Sequence, residues 1–194
     1  GMGEPLLNYD ATMQSIDLIT DEVTNGVGAS HITVSTAGMV DGIRRMADEG
    51  RKAKLAISLH SVQDSTRSML MPINRKHDLG ELIEAIEYYY RLTGRRVTYE
   101  YIMFEGLNDT PADAARLARF AMRVPSKVNL IPYHSIEAAG PKEGARELRP
   151  ATRARIDSFA EALRNRRGTV MLRASAGTNM GLRFLPSAFA FNQL

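Results

Sequence analysis

The chain contains no cysteine. That absence excludes disulfides, thiolate metal sites and cysteine nucleophiles within its 194 residues. No apolar run approaches the roughly 18 residues of a membrane helix, and no basic segment leads into the apolar core of a secretion signal. Neither insertion nor export is therefore expected, and a cytosolic (cytoplasmic) protein is the default. There is also no Gly-x-Ser-x-Gly elbow, no His-x-x-x-His or His-x-His pair, and no phosphate-binding glycine motif. Those gaps argue against an elbow-type hydrolase, a protein-bound zinc ion and a barrel enzyme acting on a phosphorylated small molecule.

What is present suits one soluble globular domain spanning residues 1–194, with 44% hydrophobic and 24% charged residues. Net charge is only +3, but Arg149, Arg153, Arg155, Arg164, Arg166, Arg167 and Arg173 crowd the last third. Such a cluster can meet phosphate through bidentate guanidinium contacts. The plainer reading is the solvated face of one amphipathic helix.

Periodicity alternates between helix and strand. Helical patterns cover Ala11 to Thr24, Met39 to Glu49, Leu79 to Thr93 and Ala151 to Asn165, with a short turn from Ser65 to Met71. Thr110 and Pro111 mark the start of another helix, as N-cap and first helical residue, running to Val124. Strand patterns cover His31 to Thr36, Lys54 to Leu59, Val97 to Phe104, Val128 to Tyr133 and Thr169 to Arg173. Ser135 to Pro150 reads as a polar loop or lid, and residues 174–194 as a C-terminal tail whose Phe184, Phe189 and Phe191 either cover the barrel or stay loose. Five strands with right-handed crossovers predict an α/β fold: an open, partial (β/α) barrel, with a doubly wound sheet as competitor.

In both architectures ligands gather at the strand C-terminal ends. Glu4, Ser35, Thr36, Ser58, His60, Glu105, Asn108 and His134 fall there. Gly1-Met-Gly3-Glu4-Pro5 offers close backbone approach and a carboxylate for an ammonium group, or simply a tight turn. Ser35-Thr36-Ala37-Gly38 offers hydroxyls and amides to a carboxylate, or an ordinary helix cap. Strand alternation sets Ser58 and His60 on one side of the sheet, though that spacing does not align them as a hydrolase dyad. No catalytic residue is assigned, and no metal ligands.

Taken together, seven ordered motifs resemble one family. They are Gly-Met-Gly-Glu-Pro-Leu-Leu-Asn8, Val-Ser-Thr-Ala-Gly38, Leu-Ala-Ile-Ser-Leu-His60, Met-Pro-Ile-Asn74, Tyr-Glu-Tyr-Ile102, Leu-Asn-Asp109 and Asn-Leu-Ile-Pro-Tyr133. The family is the radical-SAM RNA adenine-C2 methyltransferases, which modify ribosomal RNA and tRNA. The resemblance implies a partial barrel of radical-SAM type, S-adenosylmethionine as cofactor beside a [4Fe–4S] cluster, and RNA as partner. It implies SAM contacts at Gly3, Glu4, Ser35, Ser58, Leu59 and His60; His134 falls where the family has an asparagine contacting SAM.

Two departures accompany it. The family's Cys-x-x-x-Cys-x-x-Cys loop precedes the Gly-Met-Gly-Glu-Pro motif and has no counterpart here, so the barrel is expected to lack its first strand or strands and the cluster loop. Near the other end, Arg173-Ala-Ser-Ala-Gly177-Thr-Asn-Met180 begins like the segment carrying the methyl-relaying cysteine, but Phe184 lies near that cysteine's position. The expectation is a divergent or N-terminally truncated relative keeping much of the SAM half-site. The alternative is a non-catalytic RNA- or nucleotide-binding domain derived from that family. A missing first strand also leaves a sheet edge open to self-association.

Overall fold

A computed structural model describes residues 3–21, 23, 26–133 and 148–166, and the backbone of 170–172. Gly1, His134, most of the polar loop, Arg167, Arg173 and the 174–194 tail with its phenylalanines lie outside the described residues.

The five strands are β1 (Thr33–Thr36), β2 (Lys54–Ser58), β3 (Val97–Met103), β4 (Ser126–Pro132) and β5 (Val170–Leu172). They form one parallel sheet in strict chain order, β1 to β5. A doubly wound sheet reverses direction at a switch point, and this order has none. Successive right-handed crossovers that always step to the next strand put their helices on one face and leave the other concave, as in an open barrel.

The helices are α1 (Tyr9–Thr20), α2 (Val40–Asp48), α3 (Asp64–Leu70), α4 (Leu79–Thr93), α5 (Pro111–Ala121) and α6 (Arg153–Arg164). Ile43 of α2, Leu82 and Ile86 of α4, Leu117 of α5 and Phe159 of α6 bury in one core with Leu55, Ile57, Tyr99, Tyr101 and Leu130 of the sheet. A smaller cluster of Ala37, Leu70, Met71, Ile102 and Phe104 sits apart from it, joined by Ile131 and Tyr133. Ile102 and Phe104 alternate with Tyr101 and Met103 along β3, so this second cluster belongs to the concave face.

Local chemistry sets the element ends where the sequence marks them. Asp78 accepts the Glu81 amide at 2.8 Å at the start of α4, and Gly94 ends that helix at φ +63°, a conformation glycine adopts without a Cβ penalty. Thr110 and Asp113 form a reciprocal capping box ahead of α5, with Pro111 at the first helical position. The His31 to Thr36 expectation shortens to β1, because Ala29–His31 forms a 3-10 turn with His31 N donating to Gly28 O. The first helix ends at Thr20, four residues before the expected Thr24.

Candidate functional site

Strand register places the polar residues. Ser58 of β2 pairs with Glu100 of β3, and Glu100 with Asn129 of β4. Partnered residues on parallel strands share a face, so Ser58, Glu100 and Asn129 form one rung across the concave side. Asn129 Nδ2 donates to Glu100 Oε1 at 2.9 Å, which fixes the carboxylate on the rung. Ser35, opposite Ala56, occupies the same face lower on β1 and is exposed. Neither the Ser35 nor the Ser58 hydroxyl has a partner among the described residues.

The loops above the strands are tied down internally. The Glu4 carboxylate is buried; it accepts the Leu6 amide at 3.1 Å and the Ala37 amide at 2.6 Å. It thus clips the opening loop to the segment after β1. A carboxylate has about four lone-pair sites, so two remain for a further donor. Thr36 divides from its neighbour Ser35: it faces the helices, and its hydroxyl oxygen accepts the Gly38 and Met39 amides just ahead of α2. The helix-cap reading of the Ser-Thr-Ala-Gly stretch is thus replaced: α2 starts behind Met39 without a side-chain cap, Thr36 closes a turn ahead of it, and Ser35 stays on the open face.

His60 departs from simple strand alternation. β2 stops at Ser58, and His60 turns into the left-handed region at φ +55°, with Ser61 N donating back to Leu59 O at 2.7 Å. A non-glycine residue held there stores strain of about 1–3 kcal/mol. The imidazole is buried and its Nδ1 accepts the Ile102 amide at 3.2 Å, which leaves Nε2 to carry the proton of the neutral ring. Burial, and then the nearby Arg67 guanidinium, push the His60 pKa down to about 3. His60 is thus a neutral donor at physiological pH and sits apart from any Ser–His dyad.

Asn108 belongs to the scaffold. Fully buried, it accepts the Phe104 amide through Oδ1 and donates to the carbonyls of His60 and Ile102 at 2.6 and 2.7 Å. Glu105 is exposed on the outer turn. Leu59 is buried and contributes its backbone, donating to Glu100 O at 3.0 Å. Gly3, at φ +130°, has open space where a Cβ would sit, so its backbone stays approachable. Sequence reasoning missed Arg67, Glu100 and Asn129. The signal for the last two was the polar residue interrupting apolar β3 and β4 at matching depth; Arg67 lies between two motifs that were noted, Ser-Leu-His60 and Met-Pro-Ile-Asn74.

Among the described residues, no group of three or more His, Cys, Asp or Glu could hold a metal ion, and no helix is long and apolar enough to cross a membrane. The hydroxyls, carboxylate and amide of the concave rung fit a ligand bearing hydroxyl and amine groups. An iron–sulfur cluster finds no thiolate anywhere in the 194 residues.

Residues 1–118 match the family model of the radical SAM superfamily. A probable dual-specificity RNA methyltransferase RlmN of Salinibacter ruber is 42% identical over 93% of this chain and 47% of its own length. The dual-specificity RNA methyltransferase RlmN of Sorangium cellulosum is 46% identical over 84% of this chain and 40% of its own length. The crystal structure of a radical SAM methyltransferase from Sphaerobacter thermophilus superposes with a TM-score of 0.82 at 42% identity, covering 89% of this chain and 49% of that one. The chain spans about half the length of the curated relatives it matches. With the family model covering more than half of its residues, the chain belongs to the radical SAM superfamily.

Proposed function

We propose that this chain carries the SAM-binding part of an RNA-modifying radical SAM methyltransferase. The observation that supports the reading is the polar rung on the open face of a sequential parallel sheet, with Ser58 at the C-terminal end of β2 and Glu100 and Asn129 midway along β3 and β4, in a chain 42% identical to a probable enzyme of that kind. On this reading Gly3 and Glu4 receive the methionine amino group, and Ser35, Ser58, Leu59 and His60 line the rest of the nucleoside. His134, outside the described residues, enters only as the position where the resemblance implies a further SAM contact.

SAM, when bound beside a reduced cluster, supplies the radical. The residues of this chain bind and orient it: two hydroxyls without partners among the described residues face the ligand, and the neutral His60 ring offers one N–H. Cluster ligation and methyl relay both need thiols, which these 194 residues do not supply. That observation favours a second reading, a domain that binds RNA or a nucleotide without turnover. Within the described part, the basic last third is largely the solvated face of α6, where Arg153 pairs with Asp157 and Arg155 with Asp109. RNA contact is therefore assigned to the relatives' substrate class rather than to that helix.

Titration calorimetry with S-adenosylhomocysteine tests the pocket, and heat from a single site per chain is expected. Titrating a short adenine-containing RNA, with and without S-adenosylhomocysteine, separates the two readings: RNA binding indifferent to the nucleoside favours the non-catalytic domain. The β1 edge pairs with no strand on its outer side among the described residues. Self-association through that edge is part of the proposal, and a strictly monomeric chain at high concentration in light scattering would count against it.

A further inference from the structure

Arg67 is fully buried, and its acceptors are carbonyl oxygens. Nε donates to Leu59 O at 3.2 Å, Nη1 to Asn74 Oδ1 at 2.7 Å, and Nη2 to Ala37 O at 2.6 Å and Ser58 O at 3.4 Å. A cation in that position costs desolvation, and burial lowers its pKa to about 10. The guanidinium's fixed fork of donors reaches out of α3 to the loop after β1, the end of β2, and the 3-10 turn Pro72–Arg75.

Those first two places are where the candidate ligand contacts lie. Ala37 follows Ser35 and Thr36, and its amide is held by Glu4 while its carbonyl is held by Arg67. Gly38 follows at φ +111°; a Cβ there would come within 3.1 Å of Arg67 Nη2 and 3.2 Å of Leu82 Cδ1. Only glycine has both the dihedral freedom and the clearance. Just after β2, Leu59 O takes the Arg67 bond and the Ser61 amide together, which closes the strained turn at His60.

We propose that Arg67 is a positioning residue for the SAM site: its buried guanidinium holds the Ala37 and Ser58–Leu59 carbonyls so that the β1 loop and the His60 turn keep one ligand-ready shape. The ligand part rests on the SAM-binding reading above; the geometric part does not. Strain at His60 persists because surrounding bonds over-determine it, and Arg67 supplies one of them. Small displacements of positioning groups are costly to ligand geometry.

The test uses the full chain and its Arg67→Lys and Arg67→Ala variants. S-adenosylhomocysteine affinity by calorimetry is expected to fall by about tenfold in Arg67→Lys and by up to about a hundredfold in Arg67→Ala. Added guanidinium ion, kept below denaturing concentration, is expected to restore part of the Arg67→Ala loss, which a purely space-filling role would not allow. In parallel, amide NMR spectra of the ligand-free proteins are expected to move at Ala37, Gly38, Leu59, His60 and Ser61, with α5 and α6 amides unchanged. Should Arg67→Ala not fold, Arg67→Lys carries both readouts.

If the wild-type chain binds no S-adenosylhomocysteine, the SAM reading fails, and the amide shifts alone decide the geometric part. Undiminished affinity in folded Arg67→Lys overturns the positioning role in a chain that binds. Shifts spread evenly over the molecule, or absent from Gly38 and His60, overturn the geometric part.

Discussion

Asn108 Nδ2 lies 2.6 Å from the carbonyl oxygen of His60, so a side chain after β3 fixes the turn that ends β2. The same amide group also takes the Phe104 N–H and the Ile102 carbonyl. Asn108→Ala strands three buried backbone groups and is expected to cost about 2–4 kcal/mol. Chemical denaturation measures it. Asn108→Asp, which turns an acceptor toward two carbonyls, is expected to cost at least as much; a neutral outcome for either would mean the turn at His60 does not depend on this bond.

Acid stability follows from the buried imidazole. His60 is held neutral in the fold with its pKa pushed down to about 3, whereas an unfolded histidine titrates near its ordinary value of about 6.5. Between those values the unfolded chain binds the extra proton, so the contribution is fully present above about pH 6.5 and is lost as pH falls toward about 3. The slope is about 1.4 kcal/mol per pH unit. His60→Asn tolerates positive φ and offers an oxygen to the Ile102 amide. The difference in stability between the two proteins is expected to change with that slope below pH 6.5 and to be flat above it, as read from denaturation midpoints across pH.

The capping box of α5 separates scaffold from site. Thr110 Oγ1 accepts the Asp113 amide at 3.2 Å while Asp113 Oδ2 accepts the Thr110 amide at 3.1 Å. Thr110→Ala is expected to lower stability by about 1 kcal/mol and to leave S-adenosylhomocysteine affinity unchanged. A parallel loss of affinity would show that α5 is coupled to the strand ends.

Iron and sulfide reconstitution under anaerobic conditions is expected to give these 194 residues no cluster absorbance or electron-spin signal, because no thiolate is available to them. A stable [4Fe–4S] spectrum would show ligation by other residue types and reopen cluster chemistry within the chain itself.

Much of the architecture was legible because strand and helix periods alternate cleanly and the stops are chemically marked. Leu79–Thr93 with Gly94, and Thr110 with Pro111, are read off residue by residue. The sequential strand order was not legible, since a doubly wound sheet presents the same alternation. At the candidate site, the motifs singled out particular strand ends but not each side chain's task. Ser35 and Thr36 are adjacent and chemically alike, yet the pleat sends one to the open face and the other under α2. The i, i+2 rule failed at His60, where the chain leaves the strand in a left-handed turn fixed by long-range bonds from Ile102, Asn108 and Arg67. Such bonds join residues up to 48 positions apart and leave no local signature.

The most direct measurement of the central claim is calorimetric titration of S-adenosylhomocysteine into the wild-type chain, Ser58→Ala and Glu4→Ala. Binding at one site, weakened by about tenfold in each variant, is the expected result. No heat of binding in the wild type, or binding indifferent to both substitutions, would contradict a SAM pocket on the concave face.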